Sequence, residues 1–321
     1  MSEFEIIARY FTRARAHGAR VGLGVGDDCA LLESGPGLQL AVSTDMLVAG
    51  RHFFPDADPF DLGHKCLAVN LSDLAAMGAR PLAFTLALAL PQANSVWLSE
   101  FSRGMFALAD HFHCDLIGGD TTRGPLTICI TIFGELPIGS ALLRSAAQIG
   151  DDIWVSGTLG DARLALAAMQ REITLSEALF DQAAPRLHRP SPRIALGLAL
   201  QHEQLAHAAI DLSDGLIGDL GHILSRSGCG ATINIDALPL GPVLAQQTQA
   251  IQRRYALSGG DDYELCFTAA ARHRATIKAM AEAIHTPVNC IGHIEAMPGL
   301  RLIDQHSQAL DLSFASYDHF G

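Results

Sequence analysis

Five times along this chain an aspartate sits beside glycine, serine, threonine or asparagine where a strand or helix is expected to end or begin. Asp27 and Asp28 sit in a loop held by Gly22, Gly24 and Gly26. Ser43, Thr44 and Asp45 end the apolar run 38–42. Asp73 lies in NLSDLAAMGA, Asp120 in LIGGDTTRG, and Asp211 and Asp214 in AIDLSDG. An alternating run that halts at Ser-Thr-Asp reads as a strand delivering oxygen ligands at its carboxyl end. Hard cations such as Mg²⁺ take oxygen ligands of this kind. The strands and helices read around these motifs alternate in both halves of the chain, which points to α/β or α+β domains.

Periodicity fills in the elements. Residues 3–16 place Phe4, Ile7 and Phe11 on one face of an amphipathic helix. A strand is expected at 38–45. Asp58-Pro59 opens a helix running to Met77, with Gly78 as its stop. Residues 81–90 read as a buried strand, and 95–112 as a helix capped by Asn94 or Ser95. Strands at 114–118 and 125–136 flank GGDTTRG, read as a loop. A composition change at 137–150 marks a junction between domains 1–137 and 138–321. Beyond it, strands are expected at 152–156, 208–211, 231–235, 265–268 and 289–294. Helices are expected at 161–171, 174–183, after Ser191-Pro192, and at 215–227 with Ser213 as cap.

Composition narrows the chemistry. The net charge of −12 lacks the basic stripe a nucleic-acid partner requires. Only two lysines occur, Lys65 and Lys278, and no GxxxxGK[ST] run exists. Phosphate handling would therefore fall to metal ions, arginine and backbone N–H groups. The seven cysteines are scattered singly, as thiols in a reducing cytoplasm would be. The N-terminus is acidic and amphipathic, unlike a signal peptide. The longest apolar run, 82–90, is too short to span a bilayer.

Each motif has a plain alternative. Asp27-Asp28, Asp120 and the SGGDDYEL segment 258–265 also suit tight turns. Asp45 and Asp214 also suit caps. Asp73 is different, because an acid inside an apolar helix is rarely buried without a partner. Asn70 shares its helix face. Spacing alone favours a surface role for His52, and the cysteines read as core fillers.

Taken in order, GVGDDCALL, STDMLVAGRHF, KCLAVNLSDLAAMGARP, LIGGDTTRG, AIDLSDGL, LSGGDDYEL and the terminal YDHF resemble the thiamine-monophosphate kinase family. The likeness covers nearly the whole chain. That family belongs to an ATP-binding superfamily with aminoimidazole ribonucleotide synthetase, selenophosphate synthetase and a hydrogenase maturation factor. The resemblance implies a two-domain α/β (α+β) fold of that superfamily. It also implies a homodimer paired through its N-terminal sheets, with a C-terminal α/β domain completing each site. ATP would be the donor and thiamine monophosphate the acceptor. Transfer would be direct and in-line, with several Mg²⁺ ions and no phosphoenzyme; participation of a monovalent cation is left open.

Carried over by position, Asp28, Ser43, Thr44, Asp45, Asp73, Asp120, Asp211 and Asp214 match the family's metal-binding motifs. Gly119 with Asp120, Arg144 and Ser213 match its ATP contacts. His52, Asp261 and Tyr317 match its acceptor contacts. The family often has Gly-Glu-Asp where Gly260, Asp261 and Asp262 stand here, so Asp261 keeps the carboxylate one methylene shorter.

The residues agree with such chemistry. A phosphate monoester carries roughly −1.5 to −2 charge near neutral pH, so donor and acceptor repel unless cations screen them. Positioning and charge stabilisation matter more than covalent help in phosphoryl transfer. Arg144 is a candidate clamp, since guanidinium binds phosphate bidentately. Competing readings are another superfamily synthase or ligase, a selenophosphate or hydrogenase-maturation relative, and a non-catalytic Mg–ATP sensor. The maturation-type relatives are expected to carry a reactive terminal cysteine, whereas the first cysteine here is Cys29 and the chain ends YDHFG.

Overall fold

In the computed structural model, residues 2–13, 20–25 and 29–310 are described. Two expected site residues, Asp28 and Tyr317, lie outside them. The chain divides into two compact units. One holds residues through Leu74 with Ala79–Ser140, and the other holds Ala75–Gly78 with the residues from Ala141 on. Among the described residues no helix is long and apolar enough to cross a membrane. All seven cysteines are free.

The first unit opens with α1 (Glu3–Ile6), which continues as a π-helix over Ile7–Phe11. This shortens the helix expected at 3–16. A small antiparallel ribbon follows, β1 (Val21–Leu23) on β2 (Leu31–Leu32). Then come β3 (Leu38–Val48), α2 (Pro59–Met77), β4 (Arg80–Leu90), α3 (Ser95–His111), β5 (Asp115–Arg123) and β6 (Thr127–Pro137). Local chemistry sets the helix ends. Pro59 starts α2 where its missing N–H costs nothing, and Asp58 Oδ1 accepts the Asp61 N–H at 3.0 Å. Gly78, at φ +67°, ends it. Asn94 caps α3 by accepting from Val96 and Trp97.

Four strands form one sheet in the order β3-β6-β4-β5, antiparallel except for the parallel β4–β5 pair. Ile128, Ile130 and Ile132 point to the buried face, none more than 1% exposed. GGDTTRG is not a loop. Gly118 to Arg123 pair with Thr85 to Leu90, and β5 ends only at Arg123. Of the glycines that suggest a loop, Gly119 instead permits close strand approach. A Cβ on Gly119, whose φ is +147°, would lie 1.9 Å from the Leu86 carbonyl oxygen.

The second unit runs β7 (Asp151–Ser156), α4 (Asp161–Met169), α5 (Glu177–His188), α6 (Ile194–His202), β8 (Ala208–Asp211), α7 (Leu216–Ser227), β9 (Gly230–Asn234), α8 (Gln249–Ser258), β10 (Leu265–Ala270), α9 (Arg274–Ala283), β11 (Val288–Glu295) and β12 (Gly299–Ile303). Its sheet has the order β12-β9-β11-β7-β10-β8. Only β12–β9 is parallel. All six residues of the central strand β7 are buried. Ser213 does not cap α7. The cap position is Gly215, with no side-chain bond, and the first-turn carboxylate of Asp219 reaches back to the Asp214 N–H at 3.1 Å.

Candidate active site

In the first unit the pleat of β3 separates residues that adjoin in sequence. Successive side chains of a strand face opposite sides. Ser43 and Asp45 are half-buried, while Thr44 is exposed on the other face. Ser43 Oγ donates a short hydrogen bond to the Asp73 carboxylate, which joins β3 to α2. Thr44 Oγ1 instead pairs with Thr131 Oγ1 at 2.8 Å, on a face that also exposes Leu40, Val42 and Met46. One turn before Asp73, fully buried Asn70 donates to the Cys66 carbonyl at 2.9 Å. Among the described residues its side-chain oxygen has no hydrogen-bond partner.

His52 lies in the turn leaving β3. Its Nδ1 accepts the Val48 N–H at 3.0 Å, and its own N–H returns to the Val48 carbonyl at 3.0 Å. Accepting at Nδ1 places the ring proton on Nε2. The ring is thus fixed by the strand that carries Asp45.

Gly119 and Asp120 are elsewhere. Strands β3 and β5 form opposite edges of the sheet. Three inter-strand spacings separate them, about 14 Å. The register carries Asp120 through Ala87 and Cys129 to Met46, on the Thr44 face. Within this unit, then, Ser43 meets Asp73 on the buried side with Asp45 two residues along, and Asp120 stands apart.

In the second unit two distant motifs are stitched together. The Asp261 N–H donates to the Ser213 carbonyl at 2.9 Å, Tyr263 N–H to Leu212 at 2.8 Å, and Leu212 N–H to Glu264 at 2.8 Å. A Cβ on Gly260 would lie 2.4 Å from the Ser213 oxygen, so only glycine fits there. Asp211, 4% exposed, ends the edge strand β8 opposite Leu265. Arg144 is exposed, and its carbonyl accepts from Ser227 Oγ at 3.0 Å. Burial pushes the Asp219 carboxyl up to about 7. The Asp214 charge adds to this rise, and the Arg144 charge opposes it. Arg144 therefore acts electrostatically on Asp219.

Sequence reasoning missed the supports of this loop. Glu264, 0% exposed, accepts from Ser156 Oγ and Arg193 Nε at 2.6 Å each and from Arg186 Nη2 at 2.7 Å. Asp262 Oδ1 accepts the Gly160 N–H at 2.8 Å. Burial holds its carboxyl well above the usual carboxylate range, with Gly160 and Arg186 pulling the other way. The sequence carries no signal for these supports: Asp262 and Glu264 are as polar as Asp261, yet both are buried while Asp261 and Tyr263 are half-buried.

Both oxygen-rich sets suit a hard dication by chemistry. Among the described residues no group of three His, Cys, Asp or Glu stands ready to hold an ion. Mg²⁺ does not need one, because it keeps several waters and binds through one or two carboxylates plus substrate phosphates. The orphaned Asn70 oxygen beside Asp73 is a further unmet acceptor of the right type. The residues fit the ion.

Residues 26–136 match the AIR synthase related protein, N-terminal domain, and residues 148–305 match its C-terminal domain. The thiamine-monophosphate kinase of Salmonella typhimurium is 49% identical over 321 residues, covering 99% of this chain and 98% of that protein. The crystal structure of thiamine-monophosphate kinase from Stenotrophomonas maltophilia K279a superposes with a TM-score of 0.84 at 48% identity, over 93% of this chain and 94% of that one. AaThiL, solved in complex with AMPPCP and TMP, superposes with a TM-score of 0.76 at 28% identity, over 90% and 89% of the two chains. With both domains matched in order and near-half identity end to end, the chain belongs to the thiamine-monophosphate kinase family.

Proposed function

We propose that this chain transfers the γ-phosphoryl group of ATP to thiamine monophosphate, giving thiamine diphosphate and ADP. It is a kinase without a covalent enzyme intermediate: an acceptor phosphate oxygen attacks the γ-phosphorus in line as the bond to the β-phosphate oxygen breaks. The observation that carries the reading is the direct stitching of Ser213, assigned to the donor, to Asp261, assigned to the acceptor. Reacting groups must be held together for such a transfer.

On this reading Asp28, Ser43, Thr44, Asp45, Asp73, Asp120, Asp211 and Asp214 would hold Mg²⁺, whose charge offsets that of two phosphate chains. Ser43 orients the Asp73 carboxylate. Gly119, Asp120, Arg144 and Ser213 bind the donor, with Arg144 as a phosphate clamp. His52 offers its Nε2–H to the acceptor phosphate, Asp261 pairs with the cationic thiazolium, and Tyr317 offers an aromatic face. A monovalent cation is an added candidate. Residues 1–137 carry metal and ATP binding and dimerisation, and 138–321 supply the rest. The exposed apolar face at Leu40, Val42 and Met46 supports pairing of two copies through this sheet. The acidic charge and free thiols suit a cytoplasmic enzyme with no nucleic-acid partner.

The test is ATP consumption with and without thiamine monophosphate, with the product identified by mass. Thiamine diphosphate formed in step with ADP is expected. ATP bound but no turnover of thiamine monophosphate would mean a sensor, not a kinase.

A further inference from the structure

Asp261 and Asp262 adjoin in sequence and are chemically identical, yet the fold treats them in opposite ways. Asp261 is half-buried, and Asp262 is 2% exposed. Asp262 is held through its side chain and through its backbone. Its carboxylate takes the N–H of Gly160, which caps α4 at φ +87°. Its carbonyl takes Arg186 Nη2 at 3.0 Å. The residues on either side are left-handed, Asp261 at φ +66° and Tyr263 at φ +49°. Neither is glycine, and such residues persist only where the surroundings over-determine them. The Asp261 and Tyr263 N–H groups are bonded to Ser213 and Leu212. The next inward residue, Glu264, is fixed by Arg186, Arg193 and Ser156. The turn is thus tied at each successive residue, with Asp262 and Glu264 as its inward anchors.

We propose that Asp262 is a positioning residue for the phosphoryl acceptor: by bonding Gly160 and Arg186 it holds the strained 261–263 turn so that the Asp261 carboxylate is aimed before substrate arrives. This rests on the reading of Asp261 as an acceptor contact. It assigns the two aspartates different duties. Asp261 needs its charge, whereas Asp262 needs only an oxygen that accepts a hydrogen bond. The Asp262 side chain is buried and turned inward to Gly160, so it acts on the acceptor only through Asp261.

The test compares three variants by steady-state kinetics with thiamine monophosphate and Mg–ATP. Asp261→Asn removes the charge and is expected to raise the acceptor KM about tenfold. Asp262→Asn keeps an oxygen for Gly160 and is expected to stay within about twofold of wild type. Asp262→Ala loses the tie and is expected to raise the acceptor KM about tenfold, with the ATP KM and kcat at saturation changed less than about twofold. If Asp262→Asn is impaired as badly as Asp262→Ala, Asp262 acts through its charge and the proposal falls. Equal losses across both KM values and kcat in Asp262→Ala would also overturn it. An inert Asp261→Asn would remove the acceptor reading itself, and the positioning role with it. Hydrogen exchange on the wild-type chain gives a measurement that no folding defect can spoil. The Asp261 and Tyr263 amides should be as protected without thiamine monophosphate as with it, and protection appearing only on binding refutes a pre-built turn.

Discussion

Glu264→Ala should destabilise the second unit by about 3 kcal/mol. Four donors converge on the two oxygens of this carboxylate: Ser156 Oγ, Arg186 Nη2, and Nε and Nη2 of Arg193. Glu264 itself is 0% exposed, while the Arg186 and Arg193 side chains are 21% and 18% exposed. Breaking a buried ion pair from one side typically costs about 3–5 kcal/mol, because the remaining charge is stranded. Here the two guanidinium groups retain some access to water, which argues for the low end. The Ser156 hydroxyl also donates to Glu264 while accepting the Leu265 N–H at 2.9 Å, so the start of β10 loosens as well. For a unit of this size each kcal/mol moves the melting temperature by about 2–4 °C, so a drop of roughly 6–12 °C is expected. Glu264→Gln retains one carbonyl oxygen and should fall between alanine and wild type. Thermal unfolding followed by circular dichroism measures both. A Glu264→Ala melting point within 2 °C of wild type would show that the network contributes no net stability.

Asp45→Asn should keep its fold and lose most activity: β3 runs on to Val48 instead of stopping at Asp45 as the sequence suggested, but the side chain is half-buried two residues from Ser43, and a lost metal ligand costs several kcal/mol of transition-state stabilisation; near-normal turnover at saturating Mg²⁺ would contradict this. Asp219 gives a pH dependence with a definite sign. Its folded pKa of about 7 lies above the ordinary 3.8, so the native state binds the extra proton; that stabilisation is full below pH 4 and is lost as pH rises to 7. In metal-free buffer Asp219→Asn should flatten this slope and exceed wild type in stability at pH 8, whereas an unchanged urea midpoint profile would deny the burial cost. Wild type should scatter light as a dimer at micromolar concentration, and Val42→Lys on the exposed sheet face should give a monomer; a wild-type monomer would refute sheet pairing.

Much of the fold was legible because local chemistry decides it. Pro59 and Gly78 bracket α2 as their backbone preferences require, and Asn94 caps α3. The failures are equally specific. GGDTTR has the composition of a loop, yet pairing with β4 overrides that preference. Ser213 has the chemistry of a helix cap, yet its carbonyl is engaged with Asp261 and the helix starts at Leu216 without it. Helices α8 and α9 and strand β12 carried no signal strong enough to stand out from their surroundings.

The sequence by itself determined the chemical inventory. It set carboxylates beside hydroxyls and glycines, provided almost no lysine and no P-loop, and carried seven ordered motifs that resemble those of a kinase family. Those are properties of residue type and spacing, which need no folded chain. Only tertiary structure decided which of these groups meet. The strand order β3-β6-β4-β5 sets Asp45 and Asp120 at opposite edges of one sheet, and the pleat turns Thr44 away from its neighbours. The same level of structure brings Ser213 against Asp261 and buries Asp262 while leaving Asp261 half-exposed. Strand order and register are set by which surfaces pack best across long stretches of chain, and a local pattern of period two or 3.6 holds no record of that choice.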